Sequence, residues 1–382
     1  RTVLPPDTAY QAWCIGMLAL SYAAMWWALH KLGLSAALSG LGAFVFAFGL
    51  QRTSHLGHGQ LLPAAFAPLA IAALALHVRE PGRRRFAGFL LASFLQVAAG
   101  IYLGWFLILG CSLFTILALS IDRTLRSRQV RFLKESAGFT FAGVVVWSGA
   151  LFVLLRPYLV AARELPPRPW TDVLLLLPRP RSWIAAPTGS LWARLGEVFP
   201  PETPLVWEHR IFLGAVPCLL AVAAFFAVRD LREDGRFRKP LILATIGTVL
   251  ALGALTLRVP VKTLGLTAGG ERIEYLTLWS LVYDFVPGAT SIRAVGRVWT
   301  VLLPFLLVGG LLGLDVLLGR VRSARRRSWL TASLVAFGVA EQYQGSLPSF
   351  DKLEYRASVE KARERLVGSG CDAAYFYLDS SM

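Results

Sequence analysis

Ionisable residues are nearly missing from the long apolar stretches of this 382-residue chain, and cysteine is scarce throughout. Asp315 is the clearest acid inside any such stretch, about a turn from Arg320. Carriers driven by proton or ion gradients usually place several ionisable groups at mid-membrane, so this scarcity counts against a transporter. No internal repeat is visible, which weakens an inverted-repeat carrier further. The four cysteines are Cys14, Cys111, Cys218 and Cys371. Three fall inside apolar runs, which leaves Cys371 without an obvious partner, so the cysteines argue nothing about disulfides. There is no CxxC or zinc-spaced set. Walker loops, GxGxxG turns between strand and helix, and GxSxG elbows are all absent, which argues against nucleotide-binding and serine-hydrolase sites. Acid is the scarcer charge: 23 Asp+Glu face 39 Lys+Arg, for a net +16.

What the chain does have is hydrophobic length. Its mean hydropathy is +0.57, and about 20 mostly apolar residues suffice to cross a bilayer. We place spans near 10–29, 34–50, 61–76, 86–100, 102–121, 137–155, 211–228, 240–257, 298–318 and 329–342. The third, fourth and last are short. Several are apolar around the whole helix, as lipid-facing bundles are. The expected fold is therefore an all-α polytopic membrane protein of about ten transmembrane helices.

The basic residues orient it. Arg79, Arg83, Arg84 and Arg85 lie between spans three and four; Arg123, Arg126, Arg128, Arg131 and Lys134 lie between five and six. Arg229, Arg232, Arg236, Arg238 and Lys239 follow span seven, and Arg320, Arg322, Arg325, Arg326 and Arg327 follow span nine. Together these short loops hold 19 of the 39 Lys+Arg, all on one side. Short arginine-rich loops stay cytoplasmic. Topology and anionic headgroups thus account for half of the positive excess, and nucleic acid is not an expected partner. The opposite, outer side receives both visible termini, the 51–60 loop and two long loops. The localisation expected is a plasma (inner) membrane, crossed many times.

The two long outer loops exceed what a connector needs. The first, 157–209, is broken by Pro166, Pro167, Pro169, Pro178 and Pro180, and carries Trp170, Trp183, Trp192 and Trp207. Those tryptophans equally suit a belt of interfacial anchors. Short helical turns are expected at 171–177, capped by Thr171, and after Thr203. The second, 258–297, holds an aromatic run from Tyr275 to Val286 whose near-helical spacing suggests a helix along the membrane surface. Residues 1–342 form the expected transmembrane domain. Residues 343–382 read as the start of an outer soluble α/β segment, with an amphipathic helix at 356–367 and a strand-like Cys371–Leu378 run. The chain reads as a piece that lacks an N-terminal span and loop before Arg1.

Three clusters on the outer side could carry chemistry. The first runs from Arg52 to Gln60 and includes His55 and His58, three apart and so on one helical face. Imidazoles there bind anionic headgroups, move protons or ligate metal, or simply cap two spans. The second is Trp207-Glu208-His209-Arg210, where the long loop re-enters the membrane. Glu208 can orient a sugar hydroxyl, or neutralise Arg210. The third is Arg293 and Arg297, four apart and expected to point one way from a helical start. Paired forked donors suit a phosphate, whether of a ligand or of bulk headgroups.

On these patches the chain resembles the bacterial polytopic glycosyltransferases of the GT-C superfamily. They are Leu29 to Ser35, Gly40 to Phe48, Ser54-His55-Leu56-Gly57-His58-Gly59-Gln60-Leu61-Leu62-Pro63, Pro68-Leu69, Gln96 to Tyr102, Glu208 to Gly214, and Ile292 to Arg297. The resemblance implies transfer of a sugar from a polyprenyl-phosphate carrier to an envelope glycan, lipid or protein on the outer face. It implies that Arg293 and Arg297 hold the phosphate while His55, His58 and Gln60 line the cavity. Glu208 would be a supporting or acceptor-side group. The family's acid lies in a first outer loop of which only Arg1–Ala9 is here, with Asp7 its single acid, so no catalytic base is assigned. No cofactor is implied with certainty, and a divalent metal stays open, since its carboxylate ligands would lie in that loop. A non-catalytic envelope scaffold and a lipid or solute transporter are the alternatives.

Overall fold

The computed structural model describes residues 5–164, 168–200, 205–231, 238–265, 267–268, 271–345 and 351–367. Its elements run α1 (Pro6–Lys31), α2 (Ala36–Phe48), α3 (Leu50–Ser54), α4 (Phe66–Arg79), α5 (Arg83–Ala99), α6 (Ile101–Ile121), α7 (Arg123–Glu135) and α8 (Ala137–Glu164). There follow α9 (Trp170–Leu175), α10 (Ala193–Val198), α11 (Ala215–Asp230) and α12 (Arg238–Thr256). Four short strands come next: β1 (Arg258–Pro260), β2 (Thr267–Ala268), β3 (Glu271–Arg272) and β4 (Tyr275–Thr277). The chain closes with α13 (Trp279–Phe285), α14 (Trp299–Gly319), α15 (Ala324–Glu341) and α16 (Lys352–Val367). Residues 347–382 form a separate unit, of which α16 is the described part.

The ends of these helices are written locally. Pro6 opens α1, where a missing N–H costs nothing. Ser35 caps α2 by accepting from Leu38 N, Asp122 caps α7 by accepting from Thr124 N and Leu125 N, and Ser323 caps α15 by accepting from Arg326 N.

Among the described residues, six helical segments are long and apolar enough to cross a membrane: 8–31, 59–79, 101–121, 137–164, 238–256 and 295–319. The four other expected spans are also helices but fall short of that standard. α2 has 13 residues, α5 has 17, α11 has 16, and α15 carries Arg325, Arg326 and Arg327 in its first turn. By length and composition the described residues support six of the ten expected spans.

α14 is the axis of the bundle, buried from Trp299 through Gly313, and it packs on α11 and α12. Its glycines permit this approach. A Cβ on Gly310 would lie 2.6 Å from Leu220 Cβ, and one on Gly313 would lie 2.5 Å from Ala224 Cα. Small residues at helix crossings are how apolar bundles pack when lipid removes the hydrophobic drive between helices. Around α14 the core joins Met25, Leu29, Phe46, Phe106, Phe114 and Phe305.

The basic connections meet at one end. Arg128 Nη1 donates to Arg79 O (3.3 Å), Arg83 Nε donates to Ser136 Oγ (3.3 Å), and Arg238 pairs with Asp315 at 2.8 Å. One of these connections departs from expectation: the stretch after span five is not a loop but the amphipathic helix α7. Its Leu125, Gln129 and Phe132 recur at helical spacing and turn inward, and Gln129 Nε2 donates to His77 O at 2.9 Å.

At the other end the long loops fold over the bundle. α9 begins at Trp170 behind Pro169, so Thr171 lies inside the helix and does not cap it. The turn expected after Thr203 falls partly outside the described residues and continues as a 3₁₀ turn, Val206–His209. The run from Tyr275 is only half helical. Tyr275–Thr277 pairs with Arg258–Pro260 as an antiparallel ladder, and α13 then starts behind Thr277, whose Oγ1 accepts from Trp279 N. Trp279 is fully buried, so α13 is pinned to the bundle and is not a free surface helix. In the separate unit, the amphipathic helix expected at 356–367 is present as α16, starting four residues earlier; the Cys371–Leu378 run lies outside the described residues.

Candidate functional site

Glu208 lies at the centre of the end opposite the basic connections. Its 3₁₀ turn is fastened by neighbours: Gln51 Nε2 donates to both Arg210 O and Phe212 O at 2.8 Å. Beyond the turn, Gly214 takes φ +108, which a side chain would strain, and the Glu341 carboxylate accepts from Ala215 N and Val216 N at 2.7 and 2.9 Å. These contacts tie the re-entry of the long loop to α3 and to the end of α15.

Arg297 comes from a second 3₁₀ turn, Val295–Val298, which runs into α14. The two turns touch at Gly296, where a Cβ would lie 3.3 Å from Glu208 O. Arg297 Nη2 donates to Glu208 Oε1 at 2.6 Å and Nε donates to Oε2 at 3.4 Å. This is a forked, nearly bidentate pair, the strong geometry for arginine and carboxylate. The guanidinium also stands over the Tyr102 ring, 5.8 Å from its centre.

On the other side of the carboxylate, His58 Nε2 is 3.4 Å from Glu208 Oε1. His55 packs against it with ring centres 5.9 Å apart and planes tilted by 33°, and its Nδ1 lies 2.8 Å from Gln51 O. Burial holds the His55 imidazole below its ordinary range, outweighing the help of the Gln51 carbonyl and Glu208. Burial, followed by the charge of Arg297, does the same to His58. With His58 neutral, its approach to Glu208 is a polar contact and not a second ion pair. Burial is also the largest single effect on Glu208 and pushes it up. The Arg297 hydrogen bond and charge, aided by His55 and His58, outweigh it and hold the carboxyl below the usual range. At neutral pH the site is thus a carboxylate, one bound arginine and two neutral imidazoles.

A cavity of about 250 Å³ opens beside this group. Tyr102, Arg168, Glu208, Ser291, Arg293 and Arg297 line it, and Glu208 is its only acid among the described residues. Arg168 and Arg293 are exposed, and neither guanidinium has a hydrogen bond or ion pair among the described residues. The space is a little under that of drug-sized ligand sites, about 300–1,000 Å³, and suits a small polar headgroup.

The expected residues are therefore partly assembled. His55, His58, Glu208 and Arg297 form one cluster, and Arg293 shares the cavity. Arg293 and Arg297 do not lie on one helical face. Arg293 precedes the 3₁₀ turn in irregular backbone, and Arg297 is already taken by Glu208. Gln60 is exposed on the 3₁₀ turn Gly59–Leu61 and joins none of these side chains through a described hydrogen bond. The side chain of Asp7 lies outside the described residues.

Arg52 and Tyr102 fall within stretches the sequence singles out but receive no role there, and Arg168 and Trp299 are not picked out as site residues. Arg52 is fully buried, donates Nη1 to Leu61 O, and lies over Phe46 and Trp299 at 5.1 and 5.8 Å. Its Nε and Nη2 have no hydrogen-bond partner among the described residues, and burial lowers it to about 10. An arginine at a span boundary normally reads as snorkelling outward, and only packing shows this one turned in. His209 bridges Ser182 Oγ and Leu175 O, both at 2.9 Å, but Ser182 is fully buried. That pair fastens the loop and offers no accessible nucleophile. Among the described residues no three His, Cys, Asp or Glu side chains converge as metal ligands. No known protein family, curated protein or solved structure matches the chain.

Proposed function

We propose that this protein is a multi-pass membrane glycosyltransferase of GT-C type, crossing the bilayer about ten times. It moves a sugar from a polyprenyl-phosphate carrier to an envelope acceptor on the outer face. The orientation rests on the basic connections, which keep their end cytoplasmic. The cavity at the opposite end carries the reading: two unengaged arginines face one ionised acid across a space the size of a headgroup.

In this scheme an acceptor hydroxyl attacks the anomeric carbon, the bond from that carbon to the phosphate oxygen breaks, and polyprenyl phosphate leaves. Arg293 and Arg168 stabilise the charge that grows on the departing phosphate. Arg297 is a positioning residue that holds Glu208. Glu208, kept ionised, accepts a hydrogen bond from a sugar or acceptor hydroxyl. The residue that removes the acceptor proton is not assigned.

The test uses the full chain in liposomes with a panel of radiolabelled polyprenyl-phosphate sugars and an envelope lipid extract as acceptor. Acceptor-dependent loss of label from the carrier is expected. In an Arg168→Ala/Arg293→Ala variant, transfer should fall by about 100-fold or more, on the scale of lost transition-state donors. A folded wild-type protein that turns over no donor would sink the proposal in favour of a scaffold.

A further inference from the structure

A second cavity lies at the basic end, far larger than the first at about 1010 Å³. It opens between the start of α2, the end of α14 and one face of α15. On α15 the wall runs Arg327, Ser328, Thr331, Ala332, Val335 and Ala336. Those are positions i, i+1, i+4, i+5, i+8 and i+9, a single helical face about 13 Å long at 1.5 Å per residue. The face changes character along its length: a guanidinium and two hydroxyls come first, then only alanine and valine. Leu38 and Val316 line the facing apolar wall. At the polar end Arg238 is neutralised by Asp315 at 2.8 Å, whereas Arg327 is exposed with no side-chain hydrogen bond or ion pair among the described residues.

We propose that this groove binds one anionic phospholipid from the cytoplasmic leaflet. The polarity gradient fits one amphiphile in one direction, with the phosphate on Arg327 and the Ser328 and Thr331 hydroxyls, and an acyl chain along Ala332, Val335 and Leu38. Basic pockets between membrane helices on the cytoplasmic side hold acidic headgroups in this way. The charged groups of the lining, Arg238, Arg327 and Asp315, sum to +1, which an anionic headgroup neutralises and a zwitterionic one does not. The proposal is independent of the activity proposed above, because the groove is at the other end of the bundle.

The test is native mass spectrometry of the full chain released from nanodiscs of equal phosphatidylglycerol and phosphatidylcholine. The wild type should retain one phosphatidylglycerol in preference to phosphatidylcholine. Arg327→Gln should weaken that retention about five-fold, the share of one basic residue near a lipid surface. Arg326→Gln, an exposed arginine of the same turn that is not part of the wall, should change nothing. Ala336→Phe fills the groove without altering charge and should lower retention of either lipid. Inorganic phosphate at millimolar concentration should not displace the lipid. Equal retention of both lipids, equal effects of Arg327→Gln and Arg326→Gln, full retention in a folded Ala336→Phe variant, or displacement by phosphate would each overturn the proposal.

Discussion

Consider replacing Arg297 by methionine, which keeps most of the side-chain volume and removes the fork. Glu208 would then stand as a carboxylate whose side chain is only 9% exposed, with His58 at 3.4 Å as its closest described polar neighbour. Removing one partner of a buried pair commonly costs about 3–5 kcal/mol, because the remaining charge has lost its compensation. The adjoining cavity lets water reach the carboxylate, which argues for the lower end, about 3 kcal/mol. Glu208→Gln should cost less, about 2 kcal/mol. Its orphaned guanidinium keeps the Tyr102 ring and the same water. The double variant removes both charges and should recover most of the loss, since a buried pair replaced as a unit is often nearly neutral. Thermal unfolding in nanodiscs reads this directly. At an unfolding entropy of about 2.1 cal/mol/K per residue, a chain of this length moves by a little over 1 °C per kcal/mol, so Arg297→Met should lower Tm by roughly 4 °C. The double variant should lie within about 2 °C of wild type. If the single losses simply add, with a coupling below about 0.5 kcal/mol, the pair is not the fastening this geometry describes.

Both His55 and His58 are held below their ordinary range, so the unfolded chain binds more protons than the folded one as pH drops below about 6.5. Stability should therefore be full above that value and decline toward pH 5, and a His55→Asn/His58→Asn variant should flatten that part of the Tm-versus-pH curve. A wild-type curve level from pH 7 to 5 would contradict the neutral imidazoles. Glu208, held low, adds its own loss only further down, as pH falls from about 4.3 through its depressed folded value; Glu208→Gln should remove that acid limb. Gly313→Val should cost about 1–3 kcal/mol, because its Cβ meets the Ala224 backbone at 2.5 Å and the helices must part. An unchanged Tm in that variant would mean α11 and α14 are not packed this closely. Arg52→Met should hold or raise Tm, since a buried guanidinium with two unmade donors gives way to a side chain of similar volume. A drop of more than about 2 kcal/mol would reveal an anionic partner for Arg52.

Much of this layout is readable from residues alone. Each of the ten expected spans has a helix at its place, because an apolar run beside a cluster of arginines leaves few other choices. The run around His55 and His58 and the re-entry at Glu208 stood out because polar groups at span boundaries are rare and chemically distinct. Other features had no such mark. α7 looks like a charged loop until Leu125, Gln129 and Phe132 are seen to share a face against His77. The helical spacing of the Tyr275 run was misleading because its first three residues pair with Arg258–Pro260, a partner some 17 positions away.

Composition by itself determined that this protein is an α-helical bundle with a basic end, since hydrophobic length and charge asymmetry act residue by residue. Only the tertiary structure decided what its arginines do. Arg297 is bound to Glu208 across 89 positions of sequence, Arg52 is turned into the core, and Arg293 and Arg168 are left facing a cavity. A guanidinium's role depends on which carboxylate, ring or solvent its long side chain meets. That is set by helix packing and loop closure, and no local pattern encodes it.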